Sequence, residues 1–495
     1  MASSPTTMRM EERLLWQNVG RNQSSTPKLT FWPESLEHLR DIVQRAERDG
    51  ATVRAVGSAH SWSDVAKTDD YLVHTSGMKR VLDLDIDQLR PGLPFRQEHL
   101  IPVECGLTVR ELNAILDGRG LALFNMGGFD GQAICGATST STHGSGITFG
   151  PLCDFIRSMD LVGNGGKVFR IEPSVASGRA LTDAGAFARA YPDANRYQLV
   201  QDDDWFNAAI VSMGCLGLMY SVVLEVRPAF LLKETRTAIN WTELRTSLKN
   251  GGIRRTANHY ELVISPYSLL GHNRCLVTSR AETQTPGDRQ RAIFVRYRAL
   301  LEISAWWLRF LARFWPRKIR LLLNTAIDFL TDDDYTDKSY KVLNLGDANL
   351  IPVLSTELGV PVEGDRYLDA IDRVLEVAEE LARDEHLYMT VPLGVRFVRA
   401  TSAFMSPMHE RDTCMIEIVT LAGVKGYERI MERMERELQP FGARPHWAKL
   451  NHVTHERLLA MYGTGYQRWR QVHDVLNAKG TFSGPFSRRV GLGQP

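Results

Sequence analysis

Short runs of apolar and polar residues alternate along the whole chain and predict small units of strand and helix. Branched apolar residues predict strands over 52–56, 71–74, 81–84 and 218–226. Apolar positions at helical spacing predict helices over 36–48, 109–117, 368–383 and 427–438. The first of these helices has Ser35 as its expected N-cap, and a glycine turn within 161–169 predicts a hairpin. This mixture of elements indicates an α+β fold.

The chain changes character at about residue 230, where glycine becomes less frequent and charged helices and strands alternate. We therefore predict an N-terminal extension over 1–24, a first domain over 25–230, a second domain over 231–440 and a C-terminal segment over 441–495. A chain of 495 residues is too long for one ordinary core, which agrees with such a division.

The composition excludes some classes of function. The 59 basic and 58 acidic residues leave a net charge of +1, so no overall field favours nucleic acid or an anionic membrane. The six cysteines include no Cys-x-x-Cys pair, which argues against a zinc site and a disulfide framework. We expect reduced thiols, no metal ion and no nucleic-acid partner.

Two segments bear on location. Residues 1–13 are polar and resemble no signal peptide, and no apolar run approaches the ~18 residues of a membrane-spanning helix, so we expect a cytoplasmic protein. Residues 303–320 interleave aromatic residues and leucines with arginines. They predict either a core-facing helix with snorkelling arginines, a helix lying on a membrane surface, or a lid over an apolar substrate. The sequence leaves the oligomeric state open.

The most informative stretch is 53–64, with the sequence Val-Arg-Ala-Val-Gly-Ser-Ala-His-Ser-Trp-Ser-Asp. A strand runs here into small residues that end at His60, and small side chains let the backbone approach a bulky, flat ligand. Residues 136–146, Gly-Ala-Thr-Ser-Thr-Ser-Thr-His-Gly-Ser-Gly, offer closely spaced NH groups and hydroxyls that can hold a diphosphate. No Gly-x-Gly-x-x-Gly follows a strand, which counts against a Rossmann nicotinamide enzyme.

Together with Gly-Cys-Leu-Gly-Leu at 214–218 and Pro-His-Trp-Ala-Lys at 445–449, these stretches resemble flavoproteins of the vanillyl-alcohol oxidase superfamily, in its aldonolactone and alditol oxidase branch. The four segments occur in the family's order and span nearly the whole chain. The resemblance implies a two-subdomain, PCMH-type FAD-binding domain and an α+β substrate (cap) domain with a large antiparallel sheet. It also implies that the C-terminal segment returns to the flavin domain.

The resemblance implies FAD as the cofactor, joined covalently through His60 as in the family's Gly-Ser-Gly-His-Ser loop. Matching the family's segments gives a set of expected cofactor-binding residues: Ala55, Val56, Gly57, Ser58, Ala59, His60, Ser61, Gly127, Gly128, Ala133, Gly136, Thr140, Ser141, Thr142, His143, Leu218 and Lys449.

Three residues are expected to be catalytic. Lys449 matches a lysine that stabilises negative charge near N1 and the C2 carbonyl of the flavin, and Arg396 matches an arginine that orients the reacting hydroxyl. The family's glutamate two positions before that arginine is Gly394 here. Glu417, in an apolar strand, either replaces it as base or hydroxyl acceptor or pairs with a nearby arginine. Glu357 also resembles a family position but receives no role.

The implied reaction is oxidation of a CH–OH group by hydride transfer to flavin N5. Gly127 matches a small residue beside flavin C4a, which favours O2 as acceptor and H2O2 as product. The expected partners are therefore O2 and a small alcohol: a sugar lactone, a polyol or a related compound. Gly394 and Gly128 lack the polar groups of polyol enzymes, so a bulkier lipophilic alcohol, such as a sterol or natural-product intermediate, stays open. So does a non-catalytic flavin-fold binding protein, although Lys449 and Arg396 are both present.

Overall fold

The fold is built around three sheets of more than two strands, and each contributes to one central site. The computed structural model describes residues 8–256, 258–287, 315, 317–331, 334–346 and 352–493. Its buried apolar residues form two main clusters, one under the first two sheets and the C-terminal segment and one under the third sheet.

The first sheet has the order β1-β4-β6-β5 and is mixed: β1 is antiparallel to β4, and the other pairs are parallel. Its strands are β1 (Arg9–Glu12), β4 (Leu29–Trp32), β5 (Val53–Val56) and β6 (Tyr71–His74), with β2 (Trp16–Gln17) and β3 (Ser24–Ser25) forming a separate pair. Helix α1 (Leu36–Asp49) begins after Ser35, whose side chain accepts a hydrogen bond from the backbone N–H of His38. The predicted helix and its N-cap are confirmed.

The second sheet has the order β11-β10-β9-β12-β7, in which only β10 and β11 are parallel. The strands of this region are β7 (Leu100–Glu104), β8 (Leu121–Ala122), β9 (Ile156–Val162), β10 (Val168–Glu172), β11 (Tyr197–Gln201), β12 (Leu218–Glu225) and β13 (Arg227–Pro228). Its helices are α2 (Val109–Gly118), α3 (Ile134–Ser139), α4 (Ala184–Ala190) and α5 (Asp203–Ala209). The antiparallel β9–β10 pair confirms the predicted hairpin.

The third sheet has eight strands, all antiparallel, in the order β17-β14-β16-β15-β19-β20-β18-β21. The strands are β14 (Leu231–Asn240), β15 (His259–Ile264), β16 (Arg274–Thr283), β17 (Tyr335–Lys338), β18 (Val353–Pro361), β19 (Leu393–Val398), β20 (Thr413–Leu421) and β21 (Arg444–Pro445). The helices are α6 (Trp241–Leu248), α7 (Lys318–Phe329), α8 (Ser339–Leu343), α9 (Arg366–Glu380) and α10 (Tyr427–Leu438). The large antiparallel sheet is confirmed.

The chain ends by returning to its first part. Helix α11 (His455–Leu476) packs against α5, and the short helix α12 (Pro485–Arg489) follows it. The backbone N–H of Val53 at the start of β5 donates to the carbonyl of Thr481 at 2.7 Å. The return predicted from the resemblance is therefore confirmed, while the residue limits of the four parts stay predictions.

Some predictions need correction or fall outside the described residues. The predicted strand at 81–84 is wrong: only Val81 forms a bridge, to Val103, and after one further backbone hydrogen bond, from Leu82 to Pro102, the segment forms no ladder. The segment 303–320 lies outside the described residues except for 315 and 317–320. In the described part of the chain, no helix is both long and apolar enough to cross a membrane, and all six cysteines are buried and unbridged.

Candidate active site

His60 stands at the end of the small-residue loop that follows β5. Its ring stacks on Phe129 with centroids 4.1 Å apart and an interplanar angle of 18°. Burial, with a smaller effect from the Lys449 charge, lowers the pKa of His60 to about 4. The imidazole is therefore neutral at pH 7, and one of its nitrogens keeps a lone pair that can attack an electrophile.

The loop after β5 faces the start of α3 across a narrow cleft. Many of the expected cofactor-binding residues line this cleft: Ala55, Val56, Gly57, Ser58, Ala59, His60, Ser61, Ala133, Gly136, Thr140 and Thr142. A Cβ on Gly57 would lie 2.7 Å from Cβ of Ala133, so the two walls can approach this closely only with glycine there.

Two observations on this cleft fit a bound dinucleotide. A Cβ built on Gly136 would meet no atom within 4 Å, so the backbone there is open to a ligand. The hydroxyl of Thr142 is buried and has no hydrogen-bond partner among the described residues. Buried hydroxyls rarely stay unpaired, so a ligand group is expected to bind it. The residues present therefore fit FAD.

The other expected cofactor residues are placed differently. Gly127, Gly128, His143 and Lys449 line a second cavity that adjoins the cleft at His60. Ser141 and Leu218 line neither: the Ser141 hydroxyl lies 2.8 Å from that of Ser406, and Leu218 is buried at the start of β12. Their assignment to the cofactor stays a prediction.

The second cavity has a volume of about 740 Å³ and a lining of two chemical kinds. Charged side chains line it from the third sheet and from the C-terminal segment, and we call them the charged floor. Apolar side chains line it from α7 and its surroundings, and we call them the apolar wall: Leu322, Ala326, Phe329, Leu330 and Leu345. A substrate entering this cavity would contact both groups.

Arg396, on β19, is the centre of the charged floor. Its Nε lies 3.0 Å from Glu261, and its Nη1 lies 2.9 Å from Glu417 and 3.5 Å from Glu357. Burial tends to lower the pKa of Arg396, but the three carboxylates outweigh burial and raise it above its usual range. The guanidinium therefore stays charged at every working pH.

Glu417 lies opposite Gly394 on the neighbouring strand and fills the space beside it. A Cβ on Gly394 would be 3.6 Å from Oε2 of Glu417. Glu417 accepts hydrogen bonds from Lys449 Nζ at 2.6 Å and from the Ser355 hydroxyl at 2.9 Å. Burial alone would raise the pKa of Glu417, but Lys449 and Arg396 bring it below its usual range. This carboxyl is therefore ionised.

The C-terminal segment 445–449 is fastened to the His60 loop. The backbone N–H of Trp62 donates to the carbonyl of Ala448 at 2.8 Å, and the Ser63 hydroxyl donates to the carbonyl of Trp447 at 2.6 Å. Nζ of Lys449 lies 4.3 Å from the centre of the Trp62 ring, within range of a cation–π contact. Residues far apart in sequence thus meet around one cavity.

One buried group of the site was not predicted from the sequence. His143, Glu357 and His446 each place a nitrogen or carboxylate oxygen within 4.8 Å of the other two. These residues belong to three separate segments, so no spacing motif could indicate them. His452, which follows Lys449 closely in the sequence, pairs instead with Glu435 at 3.2 Å.

Comparison with known families and proteins shows which proteins this chain resembles. A family model described as D-arabinono-1,4-lactone oxidase matches residues 222–490, and one described as FAD binding domain matches residues 27–172. The chain is 29% identical over 481 residues to L-gulono-1,4-lactone dehydrogenase from Mycobacterium tuberculosis, covering 96% of this chain and 99% of the relative. It is 24% identical over 486 residues to L-gulonolactone oxidase from Bos taurus, covering 96% of this chain and 98% of the relative.

A solved structure described as solvent-stable cholesterol oxidase shares the fold. It superposes with a TM-score of 0.74 over 99% of this chain and 100% of that chain, at 15% sequence identity. At this identity the likeness establishes the architecture alone.

Proposed function

The chain belongs to the D-arabinono-1,4-lactone oxidase family, and we propose that it uses FAD to oxidise the CH–OH group of a sugar lactone, a polyol or a related alcohol. As a member of this family it is an FAD-dependent oxidoreductase. The observation that carries the proposed substrate chemistry is the juxtaposition of Arg396 with the Glu417–Lys449 pair in the cavity that begins at His60.

Bound FAD supplies the two-electron chemistry by accepting a hydride from the substrate carbon. The loop 55–61 and the segment 136–142 would hold it through backbone groups and small side chains. Since the hydroxyl of Thr142 has no partner among the described residues, it is the donor that we assign to the cofactor.

Arg396 orients the reacting hydroxyl in this proposal. Its Nε and Nη1 are held by Glu261 and Glu417, which fixes the plane of the guanidinium and leaves Nη2 to donate to the substrate oxygen. The donor is charged and held in place before the substrate binds, so it stabilises the negative charge that develops on that oxygen.

Lys449 contributes a fixed positive charge next to the cofactor site. This positive charge would be most favourable once the cofactor carries the added electrons, so it would stabilise the transition state more than the ground state. Glu417 holds both Lys449 and Arg396 in position and keeps the net charge of the group low.

We further assign O2 as the electron acceptor, which would make the enzyme an oxidase that releases H2O2. Gly127 lines the second cavity and has no side chain that could project into it, which leaves room for O2 at this point. The names of the relatives do not decide the acceptor, because they include both a dehydrogenase and an oxidase. Peroxide release during turnover in air supports the assignment, whereas turnover only with an artificial acceptor contradicts it.

We propose a covalent bond between His60 and FAD, and acid precipitation tests it. The pellet of the wild-type protein is expected to be yellow, and that of His60→Ala colourless, because the variant lacks the ring nitrogen that would carry the bond. His74→Ala is a matched control: this ring stacks on Trp32 and lines neither cavity, so its pellet should stay yellow. A colourless wild-type pellet, with all flavin in the supernatant, contradicts covalent attachment.

The apolar wall of the second cavity favours a second candidate substrate, a bulkier lipophilic alcohol. Sugar hydroxyls need hydrogen-bond partners when they leave water, and α7 contributes mainly leucine, alanine and phenylalanine side chains to the wall. An alcohol with an apolar body would instead bury it there, at about 25 cal/mol per Å² of apolar surface.

Substrate comparison distinguishes the two candidates. If the apolar body binds along α7, Leu322→Asn should raise KM for a lipophilic alcohol on the order of tenfold and leave KM for gulonolactone nearly unchanged. The neighbouring Leu321, 55% exposed and absent from the cavity wall, provides the control Leu321→Asn. Peroxide release from gulonolactone and xylitol but not from a sterol would reject the lipophilic candidate.

A further inference from the structure

The buried pair of Glu357 and His143 has an unusual arrangement of lone pairs. Nδ1 of His143 lies 2.9 Å from the carbonyl oxygen of Gly144, and since a carbonyl only accepts, Nδ1 carries the proton of the neutral ring. The other nitrogen, Nε2, then presents its lone pair to Oε1 of Glu357 at 3.4 Å.

Oε1 of Glu357 receives no hydrogen bond from the described residues, although its side chain is only 3% exposed. The nearest cationic atom is Nη1 of Arg396, at 3.5 Å. A buried carboxylate oxygen that faces a bare ring nitrogen is unfavourable, because both atoms are acceptors. One added proton between them would satisfy both.

The third member of the cluster argues against a metal ion. Nδ1 of His446 accepts a hydrogen bond from the backbone N–H of Ala448 at 3.1 Å, so the proton of the neutral ring lies on Nε2. Burial lowers the pKa of His446 to about 3, so the ring is neutral at pH 7. With its lone pair engaged and the charges of Arg396 and Lys449 close by, this group is better suited to hold a proton than a metal.

We propose that Glu357 and His143 act together as the acceptor for the proton of the substrate hydroxyl, an inference that rests on the proposed function. As the hydride leaves carbon for FAD with two electrons, the O–H bond breaks and the C=O bond forms. The proton goes to Oε1 of Glu357 and is then held between Oε1 and Nε2 of His143. Glu357 lines the same cavity as Arg396, so a hydroxyl bound to the guanidinium can reach it.

The other two carboxylates at Arg396 are weaker candidates. Glu417 accepts hydrogen bonds from Lys449, Arg396 and Ser355, and its pKa lies below the usual range although burial opposes this. Glu261 lies between Arg396 and Arg280, which likewise bring its pKa below the usual range against the effect of burial. The oxygens of Glu417 and Glu261 are therefore already engaged by these donors, whereas Oε1 of Glu357 receives no hydrogen bond from the described residues.

The charged and titratable groups around Glu357 come from four parts of the fold. They are His143 after α3, Arg396 on β19, Glu417 on β20, and His446 and Lys449 after β21. Burial raises the pKa of Glu357, but His143, when its ring is protonated, and Lys449 bring it well below the usual range.

The pH dependence of flavin reduction without O2 tests the pair. It accepts a proton only when it holds none, so the wild-type rate is expected to fall as the pH is lowered. We call this fall at low pH the acid limb. Glu357→Gln should lower the rate of flavin reduction at neutral pH about 100-fold or more and remove the acid limb. His143→Asn keeps a donor for the Gly144 carbonyl and removes the nitrogen facing Glu357, so its acid limb should move to lower pH.

Glu435→Gln is the matched control, because Glu435 is also buried and paired with a histidine, but lies outside both cavities. Its acid limb should match the wild type. If Glu357 has only a structural role, Glu357→Gln lowers the rate at all pH values and leaves the acid limb in place. That result would overturn the inference.

Proton release gives a readout independent of the rate. In one anaerobic turnover followed with a pH indicator, the wild type should retain the substrate proton, while Glu357→Gln releases one proton per flavin. In the resting protein, ¹⁵N NMR should show a histidine ring with its proton on Nδ1 whose signals are missing in His143→Asn, and a His143 ring with its proton on Nε2 would overturn the inference. Equal proton release from both proteins overturns the inference alone, whereas a wild-type flavin that no lactone or alcohol reduces overturns the proposed function with it.

Discussion

Replacement of Arg396 by methionine is expected to lower the rate of anaerobic flavin reduction by about 10³-fold, the loss typical for removal of a donor to a developing oxyanion. Methionine keeps much of the length of the side chain but removes the charge and all donors. FAD should remain bound, because Arg396 lines the second cavity and not the cleft at residues 55–61. Stopped-flow absorbance near 450 nm measures the rate, and the flavin spectrum reports occupancy.

Two control variants distinguish a direct role of Arg396 in hydride transfer from the general effect of removing a buried positive charge. Arg396→Lys keeps a charge but loses the planar fork, so an intermediate loss is expected. Arg280→Met removes a second buried arginine that contacts Glu261 but lines neither cavity, and its rate should stay within tenfold of the wild type. A rate for Arg396→Met within tenfold of the wild type would contradict the role of Arg396, as would an equal loss in Arg280→Met.

Features set by local sequence could be predicted well. The helix at 427–438 was predicted with the bounds the structure gives, because its apolar stripe repeats at helical spacing over three turns. The small-residue stretches at 53–64 and 136–146 pointed to a ligand cleft for a similar reason: each carries its property within a dozen residues. Most of the expected cofactor residues accordingly line one cleft.

The arrangement of charges around Arg396 could not be predicted, because it depends on which strands are neighbours. Glu417 lies beside both Gly394 and Glu357 only because β20 pairs with β19 on one side and with β18 on the other. Alternation along each strand says which face a residue occupies, but not which residue stands opposite. Glu357 consequently looked like a member of an ordinary strand.

Arg54 is another residue whose environment could not be predicted from the sequence. In the sequence it is a charged residue within a predicted strand, where solvent exposure is the usual expectation. In the structure it is only 2% exposed, and its guanidinium donates to the carbonyls of Val65, Met213, Gly214 and Phe482. This one side chain joins the cofactor loop, the segment before β12 and the C-terminal segment, three regions that sequence patterns treat separately.

Replacement of Arg54 by methionine should therefore cost about 4 kcal/mol of unfolding free energy, because it leaves several buried carbonyls without a donor. Since Val65 follows the His60 loop directly, FAD occupancy should fall as well. Urea unfolding followed by circular dichroism gives the free energy, and flavin absorbance per protein gives the occupancy. Arg110→Met is the control: its side chain is 66% exposed and pairs with Asp130, so a loss of at most about 1 kcal/mol is expected. Equal losses in the two variants would show that Arg54 does not hold these three regions together.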